Sequence, residues 1–459
     1  MTGKYSGRYL AHQVLDRFET KDAYANLALQ EVLNESGAGL DRRERAFCTE
    51  LVYGTLRHLY KIDHILGRLL SRPLASSKIS VKNLLRLALY QLAYLPEIPE
   101  RAVCHSAVDE IKNSKYQALA PMVNGVLRAY IRNKDVLSRP ISREDLAQYL
   151  TIEYSHPAWL VEKWLRQFGA ALTEQVLQVN NQQPPLTLRV NRHIAQVDEV
   201  TSGLQAHGIE WAPGRFLDEA ITVKSLAGVL EETPGFTEGK YMMQDESSML
   251  VAHLLNPSPK ETIVDLCAAP GGKSTHLAEL MNDQGRIISI DQYQHKVDLI
   301  KANAERLHLR SLECILHDAR DFQIPGLHRQ ADAVLLDAPC SGTGVLRRRV
   351  DARYRRKPED IQELAALQRS ILKNAATLVR PGGRLIYSTC ALEAEENHEQ
   401  IKWFLSQYPE YQLTDYKDYL PETITRYLAD PSSKWVTLLP VRDGGDGFFM
   451  CRLDRRINP

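Results

Sequence analysis

Several marks of a special environment are missing from this 459-residue chain. Cysteine is scarce: there are seven, an odd number, scattered without a single CxxC pair. That pattern argues against a disulfide framework and against a clustered-thiolate zinc site, so no metal is expected. No long hydrophobic run is present either. The greasiest stretch, Leu84 to Leu95, carries Arg86 and Gln91 and stops at Pro96, well short of a membrane span. Residues 1–8 lead into an amphipathic pattern without the apolar core of a signal peptide. The expectation is a cytoplasmic, reduced protein with no membrane partner. Charge of one sign is lacking as well: 57 Lys+Arg balance 57 Asp+Glu. Any binding of nucleic acid must then come from local patches. There is also no GxGxxG fingerprint, which counts against a dinucleotide enzyme.

A chain this long, with 44% hydrophobic residues, can bury two or three cores. Residues 1–137 are patterned as helix throughout, as in Leu10, Val14, Leu15 and Phe18, or Met122, Val123, Val126, Leu127, Tyr130 and Ile131 behind Pro121. This part is expected to be an all-α bundle. Arg42, Arg43, Arg45 and Arg57 could form a basic face there, although solvated helix charge is the commoner use of such residues. Residues 138–145 read as a linker. Residues 146–240 read as a small α+β module: helices around Trp159 to Phe168 and up to Asn180, a strand Leu186 to Val190, a helix near Val200 to Ala206 and two further short strands. From 241 to 459 the rhythm becomes strand, loop, helix. Apolar runs at Thr262–Leu266, Arg286–Asp291, Leu312–Leu316, Ala331–Asp337 and Arg384–Thr389 predict an open, mostly parallel Rossmann-like α/β sheet.

In such a sheet ligands bind beyond the carboxyl ends of the strands, and the chemistry-bearing residues fall there. Cys267-Ala268-Ala269-Pro270-Gly271-Gly272-Lys273 follows the first apolar run. Its end resembles a Walker loop, but that motif demands glycine where Cys267 sits. What remains is a tight glycine turn whose free N–H groups suit the polar edges of S-adenosylmethionine. Asp291 is placed for ribose hydroxyls, Asp318 for an adenine amino group, and Asp337 faces a reaction centre. One such carboxylate would be read as a helix cap; several at successive strand ends are better read as a site.

Asp337-Ala338-Pro339-Cys340 and Ser388-Thr389-Cys390 add a carboxylate and two thiols. This is the equipment for methylating C5 of a cytosine, a poor nucleophile until a thiolate adds to C6. Asp337 could interact with N3 and the N4 amino group. Either Cys340 or Cys390 could be the nucleophile, since both are expected in turns beside helix N-termini, where thiol pKa values fall. The other five cysteines lie in or next to apolar-patterned segments and read as structural. The densest basic stretch, Arg347, Arg348, Arg349, Arg353, Tyr354, Arg355, Arg356 and Lys357, reads as a phosphate clamp with Tyr354 available for stacking on a single strand whose target base is turned into the pocket. Glu395-Glu396-Asn397 could orient substrate or simply open a helix.

The strings DLCAAPGGKSTHLAE, DAPCSGTGVLRRR and YSTC followed by EEN resemble the bacterial RsmB (Sun/Fmu) family of ribosomal RNA cytosine-C5 methyltransferases, and the helical first domain resembles NusB-type RNA-binding domains. The resemblance implies S-adenosylmethionine as donor, held by Cys267 to Lys273, Asp291, Asp318 and Asp337, and one cytosine of 16S ribosomal RNA as acceptor. It also implies that Cys390 is the nucleophile, that Cys340 assists product release, and that the middle module is the family's small RNA-binding insertion. Val350, Tyr354 and Ala391 stand where the family more often has Pro, Trp and Ser. A transfer RNA or large-subunit substrate, and a non-catalytic assembly factor, are the alternatives.

Overall fold

The computed structural model describes residues 6–21, 23–36, 40–225, 229–323, 330–441 and 445–457. Contacts divide it into two units. One comprises residues 1–182 together with 349–355, the other residues 183–348 and 356–459.

The first unit is helical. Its helices run Gly7–Thr20, Ala25–Glu35, Arg42–Arg57, Leu59–Leu69, Ile79–Tyr94, Glu100–Lys112, Ala120–Arg132, Lys134–Leu137, Leu146–Glu153 and Ala158–Asn180. Pro121 sits in the first turn of its helix, where a missing N–H costs nothing. The last helix is really two, broken at Gly169, whose φ of 75° and ψ of 172° only glycine adopts easily. Val14, Leu51, Leu85, Leu127 and neighbours form the core. Arg57, grouped in the sequence with helix surface charge, is buried instead. The helices Leu146–Glu153 and Ala158–Asn180, expected in the middle module, cluster with this unit. Lys61 Nζ, at 2.5 Å from Glu153 Oε1, and the Lys61 N–H donating to Ser155 Oγ are among the contacts that hold them there.

Residues 349–355 are built into this helical unit. Val350 is fully buried in its core, and Asp351 Oδ2 accepts from the Ala25 N–H at 3.0 Å. Arg353 is buried and donates to Asn181 Oδ1 at 2.8 Å and to the carbonyls of Asn180 and Ser155 at 3.0 and 3.3 Å. Tyr354 donates its hydroxyl to Leu56 O at 2.6 Å and stacks edge-on against Tyr60.

The second unit holds two sheets. Strands β1 (Leu186–Val190), β2 (Glu210–Pro213), β3 (Ala220–Ser225) and β4 (Tyr241–Met243) form an antiparallel sheet in the order β2-β3-β1-β4. It has one strand more than the sequence suggests, because Tyr241–Met243 lies just past the boundary expected after residue 240 yet pairs back onto β1. Leu188, Val190 and Ile221 pack with Val200 and Leu204 of the helix Val197–Ala206.

The larger sheet contains β5 (Thr262–Asp265), β6 (Arg286–Asp291), β7 (Leu312–Leu316), β8 (Ala331–Asp337), β9 (Val379–Thr389), β10 (Tyr411–Thr414), β11 (Val436–Leu438) and β12 (Phe448–Arg455). Its order is β10-β12-β9-β8-β5-β6-β7, with β11 also on β12. β5 to β9 run parallel, while β12 pairs antiparallel with β9 and with β10 and β11. Successive strand residues face opposite cores: Ile263, Leu335 and Ile386 pack with Met249 and Leu277, whereas Val264, Leu336 and Leu385 pack with Leu372 and Phe404. Covered on both faces, the parallel strands are apolar at nearly every position. The order reverses between β5 and β8, the switch point at which such sheets open a crevice.

Replacing Arg353 with Met should test the structural part of the basic stretch. We expect unfolding free energy to fall by about 2–4 kcal/mol, measured by urea denaturation, because several buried carbonyls lose a charged donor at once.

Candidate functional site

The pocket at this switch point is lined by Met242, Met243, Gln244, Ser248, Asp265, Cys267, Ala268, Ala269, Pro270, Gly272, Lys273 and Asp337. β5 ends at Asp265, the chain turns through residues 266–271, and the helix Gly272–Leu280 begins. Gly271 makes the turn with φ of 100°, and a Cβ there would press on Ile300 at 3.3 Å. Asp265 Oδ2 accepts from Ser274 Oγ at 2.6 Å, while Oδ1 is buried without a partner. Burial, with Asp337 nearby, pushes this carboxyl up to about 7.

Asp337 ends β8 and pairs in register with Ser388 of β9. Lys273 Nζ lies 2.7 Å from Asp337 Oδ2, and Ser388 Oγ donates to Oδ1 at 2.8 Å. The glycine-turn lysine, the strand-end carboxylate and the segment carrying Cys390 are thus one connected group. Asp291, at the end of β6, is buried; it accepts from the Tyr293 N–H at 3.2 Å and has Lys296 Nζ at 3.8 Å. Asp318, just past β7, is gripped by Arg320 at 2.6 and 3.0 Å, which lowers its pKa.

Cys340 and Cys390 meet, with sulfurs 3.4 Å apart. The expectation that both thiols are acidified is not met for Cys340. The sulfur of Cys390 beside it, then burial, then the carboxylates of Glu396 and Asp337, push the Cys340 thiol up. All of these act in one direction, which is why its place after a strand does not acidify it.

The loops holding the two cysteines are braced by the Glu395–Asn397 segment. Glu396 accepts the Ser341 N–H at 2.8 Å and its hydroxyl at 2.5 Å, together with Gln368 Nε2 at 3.0 Å. Asn397 takes the Thr389 hydroxyl at 2.5 Å and donates to Ala391 O at 2.9 Å, on either side of Cys390. Burial and Glu393 raise Glu396 to about 7.

The basic stretch behaves differently from the expected phosphate clamp. Arg347 and Arg348 reach Asp446 at 2.8 and 2.5 Å, and Arg348 also reaches Asp245 at 2.8 Å. Arg353 and Tyr354 are committed to carbonyls of the helical unit, and Arg355 donates to Ala23 O and lies over Phe18 and Tyr24. Arg356 donates to Ser341 O at 3.1 Å. Internal acceptors thus consume most of these donors, and the Tyr354 ring is packed against Tyr60 rather than held open for a base. Arg349 and Lys357 are exposed.

Some participants escape sequence reasoning. Arg189 and Gln244 stand beside the glycine turn, and Glu219, His253 and His276 bring potential metal ligands within 4.8 Å of one another. In the last group Glu219 Oε1 accepts from both imidazoles, at 2.6 and 3.3 Å. Burial and the charge of Arg189 hold His276 down at about 3, so it is neutral. We read this set as a hydrogen-bonded brace.

A family model described as 16S rRNA methyltransferase RsmB/F matches residues 252–454. The probable ribosomal RNA small subunit methyltransferase B of Bacillus subtilis (strain 168) is 40% identical over 458 residues, covering 99% of each chain. The chain belongs to the RsmB/F family. The NusB family matches residues 6–132, and the ferredoxin-like domain of RsmF/B-like methyltransferases matches 156–229. A second RsmB relative, the probable small subunit methyltransferase B of Synechocystis sp. (strain ATCC 27184 / PCC 6803 / Kazusa), is 35% identical over 98% of this chain and 99% of its own. Among solved structures, PH0851 superposes with a TM-score of 0.80 at 26% identity, covering 98% of this chain and 99% of its own. A methyltransferase homolog protein from Pyrococcus horikoshii shares the fold, with a TM-score of 0.58 at 24% identity over 68% of this chain and 99% of its own. Among the described residues no helix is long and apolar enough to cross a membrane.

Asp265 gives a pH signature. Its pKa rises from 3.8 in the open chain to about 7 in the folded one, so the unfolded state ionises first. Folded stability is then lost as pH climbs from about 4 to about 7 and is level above that. Asp265→Asn should remove this loss: thermal melts should show a gain on the order of a few kcal/mol at pH 8 that shrinks steadily towards pH 4.

Proposed function

We propose that this chain transfers the methyl group of S-adenosylmethionine to C5 of a cytosine in an unpaired region of 16S ribosomal RNA, through a transient bond between Cys390 and C6. The observation that carries the reading is the meeting of Cys340 and Cys390, 3.4 Å apart, at the strand ends that also present Asp337. Membership of the RsmB/F methyltransferase family supports the donor and the class of acceptor.

The pocket suits the methyl donor. Asp265 Oδ1, buried and without a partner, offers an acceptor to a cationic amino group. The glycine turn leaves helix N–H groups available for a carboxylate, and Asp291 is placed at the next strand end for ribose hydroxyls. Asp318 would serve the adenine edge only if Arg320 yields. When bound, S-adenosylmethionine supplies an electrophilic methyl on a sulfonium and leaves as S-adenosylhomocysteine.

The chain's own groups then divide the work. Two sulfurs so close cannot both be anionic cheaply. Burial and the carboxylates of Glu396 and Asp337 disfavour the anion on Cys340. In keeping with this, and with its place in the family's Thr-Cys motif, Cys390 gives its proton to solvent and attacks, while Cys340 stays a thiol. Cys390 Sγ bonds to C6, and the electrons of the C5–C6 double bond become available at C5. Asp337, held by Lys273 and Ser388, accepts from the N4 amino group, and the Lys273–Asp337 pair keeps a proton near N3. Once C5 carries the methyl, a solvent water takes the C5 proton, the electrons of that C–H bond re-form the C5–C6 double bond, and the Cys390 sulfur leaves C6 as thiolate. The Cys340 thiol, in hydrogen-bond reach of that sulfur, stabilises its departure.

RNA carrying 5-fluorocytosine should form a denaturation-resistant adduct that maps to Cys390 by mass spectrometry. Cys390→Ala should abolish it and lower turnover at least about 10³-fold, whereas Cys340→Ala should accumulate adduct on ordinary RNA. An adduct that survives Cys390→Ala but not Cys340→Ala reverses the two roles. Labelled methyl reaching transfer RNA but no 16S transcript reassigns the substrate.

A further inference from the structure

β1 carries Arg189, whose side chain is fully buried. The guanidinium forks onto Glu279, with Nε 2.9 Å from Oε2 and Nη2 2.6 Å from Oε1. Nη2 also reaches Thr275 Oγ1 at 3.0 Å. Nη1 donates to Gly272 O at 2.6 Å and to Gln244 Oε1. Glu279, Thr275 and Gly272 all belong to the helix that opens at the glycine turn, while Gln244 and Gly272 are walls of the pocket.

A buried ion pair is by itself weak evidence for anything beyond packing. The informative part is where the remaining donors go. Nη1 is spent on two pocket walls, and these are the groups that shape its floor. With Oε1 fixed, the Gln244 amide is turned so that Nε2 meets Ser248 Oγ at 3.3 Å, and Ser248 lines the pocket too. With Gly272 O fixed, the peptide joining Gly272 to Lys273 is fixed, and Lys273 is the residue that reaches Asp337. Planar five-donor geometry is what allows one side chain to hold a carboxylate, an amide and a carbonyl together.

We infer that Arg189 is a positioning residue for the methyl donor, acting through Gln244 and the Gly272 carbonyl, so that a strand of the small antiparallel sheet sets donor affinity. This rests on the reading of the pocket as the S-adenosylmethionine site. An arginine that merely braced the interior could be exchanged, with Glu279, for a well-packed apolar pair at little cost to any function. An arginine that positions the pocket could be exchanged without unfolding the protein, yet donor binding would suffer.

The experiment is calorimetric titration of the full-length protein with S-adenosylhomocysteine, alongside thermal melts and steady-state methylation. Arg189→Met combined with Glu279→Met removes both charges together. We expect a folded protein that binds S-adenosylhomocysteine about 10-fold more weakly. Its KM for S-adenosylmethionine should rise by a similar factor, with kcat and RNA affinity within about 2-fold of wild type. Adding Gln244→Ala to this variant should cost nothing further, because effects that share one route are not additive. Arg189→Lys keeps the charge opposite Glu279 and covers the case of a double variant that fails to fold; about 3-fold weaker binding is expected there. Wild-type affinity in the folded double variant, or in Arg189→Lys, overturns the inference, as does a loss confined to RNA binding. If the wild-type protein itself does not bind S-adenosylhomocysteine, the donor-site reading fails instead.

Discussion

Parallel pairing of β8 with β9, in the register that sets Asp337 beside Ser388, is the constraint on which the site depends. It fixes two strand ends side by side, so the residues just past them, Cys340 and Cys390, have little choice but to meet. The same register lets Ser388 hold one oxygen of Asp337 while Lys273, arriving from the turn after β5, holds the other. A slip of one residue would reverse the facing of every side chain on the strand. A slip of β9 would also part Ser388 from the carboxylate of Asp337. Apolar cover on both faces of the sheet makes such a slip expensive, and the core thereby protects the chemistry.

Two chemically identical groups meet at these strand ends. The cysteines follow neighbouring strands and touch. Cys340 lies against Glu396 and Asp337 as well as Cys390, and each of these disfavours a charge on it. The brace from Glu396 to Ser341, and from Asn397 to both sides of Cys390, keeps the two loops at fixed spacing. Environment rather than residue type thus sets the acidity of Cys340.

Much of this is legible in the sequence because strand-end residues are announced by the apolar runs before them. The five parallel strands, the glycine turn and the pairing of a carboxylate with two thiols can all be read that way. Legibility fails where partners are distant in sequence. Arg347, Arg353 and Tyr354 look like surface charge and a free ring, but their acceptors lie up to 298 positions away, as with Leu56 O for the Tyr354 hydroxyl. Arg189 occupies the non-apolar side of an alternating strand, which reads as solvent-facing until the helix Gly272–Leu280 is seen to cover it. The division of the chain at Gln183 is hidden for a related reason: the helices before it are amphipathic in the ordinary way, and nothing local says which core they join. The sequence misleads on the acidity of Cys340 because a turn after a strand reveals nothing of the charges that close around it.

The stretch 349–355 has a consequence for how the chain is made. Val350 fills the interior of the helical unit, and Asp351 supplies an acceptor to the start of the helix Ala25–Glu35, a contact spanning 326 positions. A ribosome delivers residues in order. The amino-terminal helices can gather as they emerge, but their interior is not complete until all of the larger sheet's first four strands, β5 to β8, have been made. The helical unit, though first in the chain, therefore completes its core only after about three quarters of the chain has been made.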